Sequence, residues 1–334
     1  MTFRRITLAC GSMAVGVVLI ELLIHFSGVK WEDVLAHLPV LDWGAFLRLS
    51  ALMAVNIYLS SWKWQLVDRA SRRPTDRPVS ESTSFALTSI GTALGQVVPM
   101  QFAAPLARTA GTWTYGSAIR RGTLSTFVEQ ASDLVIVCFL ALASVATILL
   151  HGKAWTWLAV GLVIWAMAML SLPSMLPILR RLAGTLAVTG YCPARWRKAV
   201  AELSDSRLLN VKLGRQLMAI STLRFAVLVL MAAQTTAAIR CDVPLWCLMA
   251  AMPIVVLSSA IGITPGGLGF TEFGYSAMLV AYGIPLSTAT QWALTNRLLT
   301  SAAAFIVTLV VVPILFSIRT IPAHSPDIER SACE

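Results

Sequence analysis

Residues 262–272 read GITPGGLGFTE, and residues 95–108 read GQVVPMQFAAPLAR. Each stretch interrupts an apolar segment with Gly and Pro and carries a charged residue, Glu272 or Arg108, just after the interruption. Each is followed by a turn and a long apolar segment with a further ionisable residue. Hydrophobic segments that Gly and Pro interrupt at corresponding places in two halves of a chain are typical of transporters built from inverted repeats. The two stretches therefore predict equivalent hairpins of half-helices with a binding site between them.

The composition is that of a chain embedded in a membrane. Of the 334 residues, 57% are hydrophobic and only 13% are charged, whereas a soluble domain carries about 25% charged residues. The net charge of +10 would favour a nucleic-acid partner in a soluble protein. Here we assign this charge to loops that face anionic lipid, and no nucleic-acid partner is predicted. No loop is long enough to form a separate enzymatic domain.

Apolar runs of about twenty residues predict full membrane spans. The two interrupted regions, about 84–116 and 244–284, are each too long for one span and predict re-entrant hairpins of two half-helices. The predicted fold is therefore an all-α polytopic membrane protein with six full spans and two hairpins. The spans are expected near residues 6–24, 43–63, 123–150, 154–172, 217–238 and 287–317.

The distribution of Lys and Arg predicts the orientation of the chain. Most of these residues, Lys63 among them, fall on one set of loops, and only four fall on the opposite set. Because cytoplasmic loops are enriched in Lys and Arg, both termini are expected in the cytoplasm of a bacterial inner-membrane protein. The first hairpin then enters the membrane from the cytoplasm and the second enters it from outside, so that the two halves are inverted.

One transmembrane domain is predicted over residues 1–320, with repeat one at about 1–150 and repeat two at about 151–320. Residues 173–216 are predicted as a basic cytoplasmic loop, and residues 321–334 as a cytoplasmic tail. From Arg195 the loop pattern fits either an interfacial amphipathic helix or an ordinary connector.

Ionisable side chains inside apolar segments are the candidates for a functional site, because a charge at the centre of a span costs roughly 2.5–3.5 kcal/mol or more. Glu129 and Asp133 are four residues apart and share one helix face. A Glu129–Arg297 ion pair across the pseudo-symmetry axis is the simplest arrangement. Arg224 has the weakest case, since a lone Arg can extend to the membrane surface. The set is Arg108, Glu129, Asp133, Arg224, Glu272 and Arg297.

The PGGLG turn predicts an anion-binding backbone. Pro265 ends a helix and removes a donor, while Gly266, Gly267 and Gly269 place no side chain between the backbone and a ligand. A broken helix also presents free N–H groups and a positive dipole end, which suit an anion such as phosphate. The alternative is that Gly and Pro only form a tight turn and that the nearby charges only hold the halves together.

No residue pattern indicates catalysis, a metal or a cofactor, so we predict a binding protein rather than an enzyme. The chain has no GxSxG, HExxH or P-loop motif, and its six Cys form no CxxC pair. The predicted lipid- or anion-binding residues are Pro99, Arg108, Glu129, Asp133, Pro265, Gly266, Gly267, Gly269, Glu272 and Arg297.

The PGGLG turn followed by Glu272 resembles the PGGxGxxE signature of the lysylphosphatidylglycerol synthase transmembrane family. The stretch from Pro99 to Arg108, with two carboxylates downstream, resembles the first motif of that family, although QFAA at 101–104 replaces its Gly-rich acidic part. The resemblance covers residues 10–318.

This resemblance implies a role in lipid handling. In bifunctional members the membrane region is fused to a soluble aminoacyltransferase domain and is thought to flip the aminoacylated lipid. We expect this chain to be a stand-alone member without that domain. Stand-alone relatives accompany polyprenyl, glycolipid and hopanoid pathways. The implied partners are therefore a membrane lipid, with an anionic headgroup or of polyprenyl or hopanoid type, and a lipid biosynthetic enzyme.

Three functions remain open from the sequence. The first is translocation, or assisted presentation, of an anionic or isoprenoid-linked lipid whose headgroup enters between the hairpins. The second is a membrane-embedded transferase or hydrolase that acts on a lipid phosphate, with Glu129 or Asp133 as its base. The third is an accessory subunit that docks a biosynthetic enzyme through the basic loop at 173–216.

Overall fold

The computed structural model describes residues 3–36, 41–72, 78–114, 119–150, 154–188, 210–261 and 264–319. Within these ranges the chain forms eleven α-helices and no strand. Five of the helices are long and apolar enough to cross a membrane. The protein is an all-α polytopic membrane protein, as the sequence predicts.

Repeat one contains two long helices, α3 and α6, with a pair of short helices between them that forms the first hairpin. Two further helices precede this unit. In chain order the helices are α1 (Phe3–Ser27), α2 (Trp31–Ala36), α3 (Trp43–Ser71), α4 (Glu81–Leu94), α5 (Met100–Thr114) and α6 (Ile119–Leu149).

Repeat two has the same order of long, short, short and long helices, preceded by one long helix. A 3₁₀ turn, Pro265–Gly267, lies between the two short helices of the second hairpin. In chain order the helices are α7 (Ala154–Val188), α8 (Val211–Ile239), α9 (Leu245–Ile261), α10 (Phe270–Ala281) and α11 (Leu286–Arg319).

Polar side chains cap the helices that follow the loops. The Asp42 carboxylate accepts a hydrogen bond from the backbone N–H of Gly44 at 2.8 Å and begins α3. Ser80 and Asn210 cap α4 and α8 in the same way. Each cap satisfies an N–H group that has no partner inside its helix. Arg240, in the left-handed conformation, ends α8.

The two repeats run in opposite directions. The backbone N–H of Asp42, before α3, donates to the carbonyl of Ala238 near the end of α8 at 3.1 Å. Toward the other end of α3, the Lys63 ammonium donates to the hydroxyl of Ser221 in the first half of α8 at 2.8 Å. Thus α3 and α8 are antiparallel neighbours. Because they are the corresponding first long helices of the two units, the repeats are inverted, as predicted.

The tips of the two hairpins meet in the interior of the protein. The backbone N–H of Gly266 donates to the carbonyl of Val98 at 3.3 Å, and the Ser301 hydroxyl on α11 donates to the amide oxygen of Gln96 at 2.9 Å. Each hairpin also packs on the last long helix of the other repeat, α4 on α11 and α9 on α6. The two Gly/Pro interruptions are therefore brought together by the fold.

The observed helices differ from the predicted spans at two places. Helix α3 continues eight residues beyond the predicted end at residue 63 and so encloses Lys63. Helix α7 continues through Pro173 and Pro177 to Val188, so the first part of the predicted 173–216 loop is helical. The predicted spans end at a charged residue or a proline. A helix packed among other helices in a membrane can continue through such a residue where its neighbours supply hydrogen-bond or ion-pair partners.

Five of the six predicted spans coincide with the long apolar helices. The sixth, 6–24, falls in α1, whose apolar part is described as Met13–Ser27. Residues 189–209, where an interfacial helix was one alternative, and the predicted tail at 321–334 lie outside the described residues.

Candidate functional site

Five ionisable side chains from four helices converge inside the protein, and we call them the charge cluster. Lys63 comes from α3, Arg108 from α5, Glu129 and Asp133 from α6, and Arg224 from α8. The ion pairs among them join both repeats, since α8 belongs to repeat two. With three cations and two carboxylates, the cluster carries one excess positive charge.

Glu129 is the fixed centre of the charge cluster. Its Oε2 accepts a hydrogen bond from Arg108 Nη1 at 2.9 Å. Its Oε1 accepts from Arg224 Nη1 at 3.2 Å and from the Ser60 hydroxyl at 3.0 Å. The side chain is only 3% exposed. Such partners compensate the buried carboxylate, because an unpaired charge there would be strongly destabilising.

Arg108 holds the first hairpin against the cluster. Its guanidinium is 1% exposed and lies over the Trp64 ring, with Cζ 5.2 Å from the ring centroid. Nη2 donates to the hydroxyls of Ser60 and Thr88 at 3.0 and 3.3 Å. Nε is buried and has no hydrogen-bond partner among the described residues. The cation–π contact and the hydroxyls supplement the ion pair with Glu129.

Asp133 lies at the open edge of the charge cluster. Its two oxygens accept hydrogen bonds from Lys63 Nζ and Arg224 Nη1. The Asp133 side chain is 27% exposed and that of Arg224 is 18% exposed, whereas Lys63 is fully buried. The charge cluster is thus closed around Glu129 and accessible from one side at Asp133 and Arg224.

Repeat two contains a counterpart of the Arg108–Glu129 pair with the charges exchanged. In repeat one the cation is on the second half-helix, α5, and the carboxylate is on the following long helix, α6. In repeat two Glu272 is on the second half-helix, α10, and Arg297 is on the following long helix, α11. Arg297 Nε lies 3.7 Å from Glu272 Oε1. Each pair therefore ties a half-helix to the last long helix of its own repeat.

Glu272 also begins its helix. Its Oε2 accepts a hydrogen bond from the backbone N–H of Gly269 at 2.7 Å, which closes the N-terminal cap of α10. Arg297 Nη1 donates to the carbonyl of Gly266 at 2.8 Å. The Glu272–Arg297 pair thus fixes both ends of the PGGLG turn, which is a structural role that needs no ligand.

The three glycines of the turn are required by the backbone and by packing. Gly266, Gly267 and Gly269 have φ of +57°, +72° and +84°, values that residues with a Cβ rarely adopt. A Cβ on Gly266 would lie 2.1 Å from Arg297 Nη2, and one on Gly269 would lie 2.6 Å from Leu19 Cβ. Protein atoms already occupy the space beside two of the glycines. A ligand contact at the turn therefore remains a prediction.

The two prolines of the predicted site both stand where a helix begins. Pro99 directly precedes α5 and its carbonyl accepts hydrogen bonds from the first turn of that helix. Pro265 opens the 3₁₀ turn. At such positions the missing N–H of Pro would have no partner inside the helix anyway. Both prolines thus position the hairpin tips.

The structure corrects two expectations about the buried charges. Glu129 and Arg297 do not form an ion pair: Glu129 is bound by Arg108 and Arg224, and Arg297 is bound to Glu272. Arg224 does not extend to the membrane surface but bridges both carboxylates of α6. The sequence alone does not show which helices are neighbours. The pseudo-symmetry of the two halves therefore gives the wrong partner for Glu129.

Lys63 is the functional candidate that the sequence analysis missed. It was counted among the loop charges because it ends an apolar run. A usable signal is its position two residues after Ser61, in a helix whose charged end comes later, at Arg69. The structure places Lys63 at 0% exposure, bound to Asp133, to Ser221 and to the Glu129 carbonyl.

Two substitutions of Glu272 should separate its role in the cap from its charge. Glu272→Gln keeps an oxygen that can accept from Gly269 and loses only the charge facing Arg297. We expect it to lower the free energy of unfolding by about 1 kcal/mol. Glu272→Ala loses both and should be destabilised by about 2 kcal/mol or more. Denaturation of the purified variants in mixed micelles would measure this; equal losses would contradict the role of Glu272 as a cap.

The comparison with protein families agrees with this architecture. The family model of the lysylphosphatidylglycerol synthase TM region matches residues 10–311, a range that includes both hairpins and the whole charge cluster. No curated protein and no solved structure gives a match. On the strength of the family match over nearly its whole length, the chain belongs to the lysylphosphatidylglycerol synthase TM region family.

Proposed function

We propose that this protein translocates, or helps to present, an anionic or isoprenoid-linked membrane lipid. The family associates the chain with lipid metabolism in a membrane. Two observations support the proposal together: two hairpins from inverted repeats meet at their tips, and a buried cluster with one excess positive charge joins the first hairpin to both repeats. Transporters with this organisation place the substrate at the interface of the repeats.

The proposed path takes the headgroup between the hairpins while the lipid tails stay in the bilayer. The tips are joined to each other by the Gly266–Val98 backbone hydrogen bond, and Gln96 of the first tip accepts a hydrogen bond from Ser301 on α11. The Arg108–Glu129 and Glu272–Arg297 pairs hold each half-helix to its own repeat, whereas Arg224 ties repeat two to both carboxylates of α6 in repeat one. Movement of one repeat against the other, as in inverted-repeat transporters, would therefore require the tips to separate and the ion pairs of Arg224 to change partners.

The test of the proposal is a scrambling assay with the purified protein in proteoliposomes. Headgroup-labelled anionic lipid is placed in both leaflets, and an impermeant quencher reports the fraction that reaches the outer leaflet. Protein-dependent loss of protected lipid is expected for an anionic or isoprenoid-linked lipid and not for an uncharged diacylglycerol. No acceleration with either class would contradict translocation and favour an accessory role.

Catalysis is less well supported than transport by the same contacts. A general base needs an oxygen within hydrogen-bond reach of the proton that it removes. Both oxygens of Glu129 accept hydrogen bonds from arginines, and both oxygens of Asp133 accept from Lys63 and Arg224. The carboxylates are thus arranged to balance cations, which suits a binding site for an exchanging anion.

We place the protein in the bacterial inner membrane with both termini in the cytoplasm, on the basis of the Lys and Arg distribution. Single cysteines in a background without the native ones should label from opposite sides. Ser80→Cys, at the start of α4, should react only from the cytoplasm, and Arg240→Cys, at the end of α8, only from the periplasm. Labelling of both from one side would contradict this orientation.

A further inference from the structure

We propose that Asp133 is an internal counter-anion that exchanges with the phosphate group of the lipid, and that Lys63 and Arg224 bind this phosphate. The inference rests on the proposed function and names the chemistry of its binding site. Two of the three residues, Lys63 and Arg224, lie outside the set that the sequence motifs single out.

The two carboxylates of the charge cluster differ in how firmly they are held. Glu129 is 3% exposed and has partners on three helices, Arg108, Arg224 and Ser60. Asp133 is 27% exposed, and its partners are two cations and the Ser221 hydroxyl. Displacement of Glu129 would strand the fully buried Arg108 away from the exposed edge, whereas displacement of Asp133 leaves Lys63 and Arg224 next to the edge where another anion can enter. Asp133 is therefore the carboxylate that can leave.

The two cations stay in place when Asp133 leaves. Lys63 still donates to the Glu129 carbonyl at 3.1 Å and to the Ser221 hydroxyl at 2.8 Å. Arg224 still donates from Nε to the Asn56 amide oxygen at 3.2 Å and from Nη1 to Glu129. Both side chains are thus oriented by contacts that do not involve Asp133. The site is preorganised for another anion.

The charge balance selects a phosphate-like occupant. Without Asp133 the cluster would hold three cations against Glu129, and leaving cations buried without an anion is strongly unfavourable. Asp133 can therefore leave only as another anion arrives. A phosphate group offers several acceptor oxygens that a Lys point charge and a planar Arg can share. When the headgroup moves on, Asp133 returns, which releases the lipid and restores the cluster.

The exposed edge of the charge cluster is the side from which a phosphate can reach Arg224 and Lys63. Arg224 is 18% exposed and Asp133 is 27% exposed, while Lys63 lies behind them at 0%. A headgroup arriving at the open edge meets Arg224 first and reaches Lys63 as Asp133 withdraws. The lipid tails remain outside the cluster.

The test measures binding of phosphatidylglycerol to the purified chain in neutral detergent micelles, from the rise in the midpoint of thermal unfolding with lipid concentration. Asp133→Asn removes the internal competitor and should lower the Kd about tenfold relative to the unaltered protein. Arg224→Gln removes a phosphate ligand and leaves two cations and two carboxylates; it should raise the Kd about tenfold. Arg215→Gln, exposed on the same helix, is the matched control and should bind as the unaltered protein does.

Two further ligands identify the group that is bound. A galactosyl diacylglycerol has no phosphate and should give no rise in the midpoint for any variant. Inorganic phosphate should stabilise the protein only at concentrations far above those of the lipid, since it lacks the tails; equal potency would assign the site to free phosphate and overturn the lipid inference. If Asp133→Asn does not fold, Arg224→Gln decides: unchanged phosphatidylglycerol binding overturns the inference.

Transport is measured separately so that the two proposals fail in different ways. Tighter binding by Asp133→Asn without scrambling by the unaltered protein would keep the phosphate site and contradict translocation. Scrambling by the unaltered protein with equal or weaker binding by Asp133→Asn would keep translocation and overturn the exchange of Asp133 with phosphate.

Discussion

Glu129→Gln should lower the free energy of unfolding by about 3–5 kcal/mol, since breaking a buried ion pair leaves an uncompensated charge in the interior. Arg108 is 1% exposed, and among the residues that the structure describes its only carboxylate partner is Glu129, at 2.9 Å. The Ser60 and Thr88 hydroxyls that remain are neutral. The substitution also removes one of two carboxylates that balance three cations.

The chain offers a matched control on its surface. Glu81 pairs with Arg69 at 3.3 Å, but the two side chains are 77% and 56% exposed. Glu81→Gln should change the free energy of unfolding by less than about 1 kcal/mol. The double variant Arg108→Gln/Glu129→Gln should recover part of the loss, because neither charge is then left alone. Equal effects of Glu129→Gln and Glu81→Gln, measured by denaturation in mixed micelles, would show that the buried pair does not stabilise the fold.

The architecture can be predicted from the sequence because each of its parts depends on residues that are close together in the chain. The interruptions at 95–99 and 262–269 follow from closely spaced Gly and Pro, which weaken or end a helix. The inverted orientation follows from the Lys and Arg distribution, and the antiparallel contacts of α3 and α8 agree with it. Neither inference requires knowledge of which side chains touch.

The charge cluster could not be predicted in detail because it depends on which helices become neighbours. Asp133 is four residues from Glu129, yet the partners of the pair come from α3, α5 and α8, over distances of 21 to 95 residues along the chain. Lys63 was hidden for a related reason. Its apolar run ends at the lysine, and its contacts with Ser221, Asp133 and the Glu129 carbonyl, together with the burial of Trp64 and Val67, show why α3 continues as a buried helix.

The two repeats contain the same kind of ion pair, with the acidic and basic residues exchanged, but the surroundings of the two pairs differ. Arg108–Glu129 and Glu272–Arg297 both tie a half-helix to the long helix that follows it. Only the first pair is extended by Lys63, Asp133 and Arg224. The second is joined instead to the backbone of the turn, through Gly266 and Gly269. The candidate anion site is therefore built on the helices of repeat one with Arg224 added from repeat two, which also supplies the tip that meets the first hairpin.

Gly266→Ala is expected to be the most damaging single substitution in the PGGLG turn. Its φ of +57° alone costs an L-residue roughly 1–2 kcal/mol. The added Cβ would also lie 2.1 Å from Arg297 Nη2 and 2.9 Å from the carbonyl of Gly95 in the opposing tip. The arginine has to move from its hydrogen bond with the Gly266 carbonyl, and the tips have to separate. A total loss of about 3 kcal/mol or more is expected.

Comparison with Gly283→Ala gives the part of the loss in unfolding free energy that comes from the contact between the tips. Gly283 has a φ of +88° but no atom within 4 Å of the position of a Cβ, so only the backbone strain of about 1–2 kcal/mol applies. The difference between Gly266→Ala and Gly283→Ala in unfolding free energy then measures the packing of the tips. Equal losses would mean that the tips do not press on each other. If the tip contact is what closes the path, Gly266→Ala should also change the rate of lipid scrambling in folded protein, whereas Gly283→Ala should leave that rate unchanged.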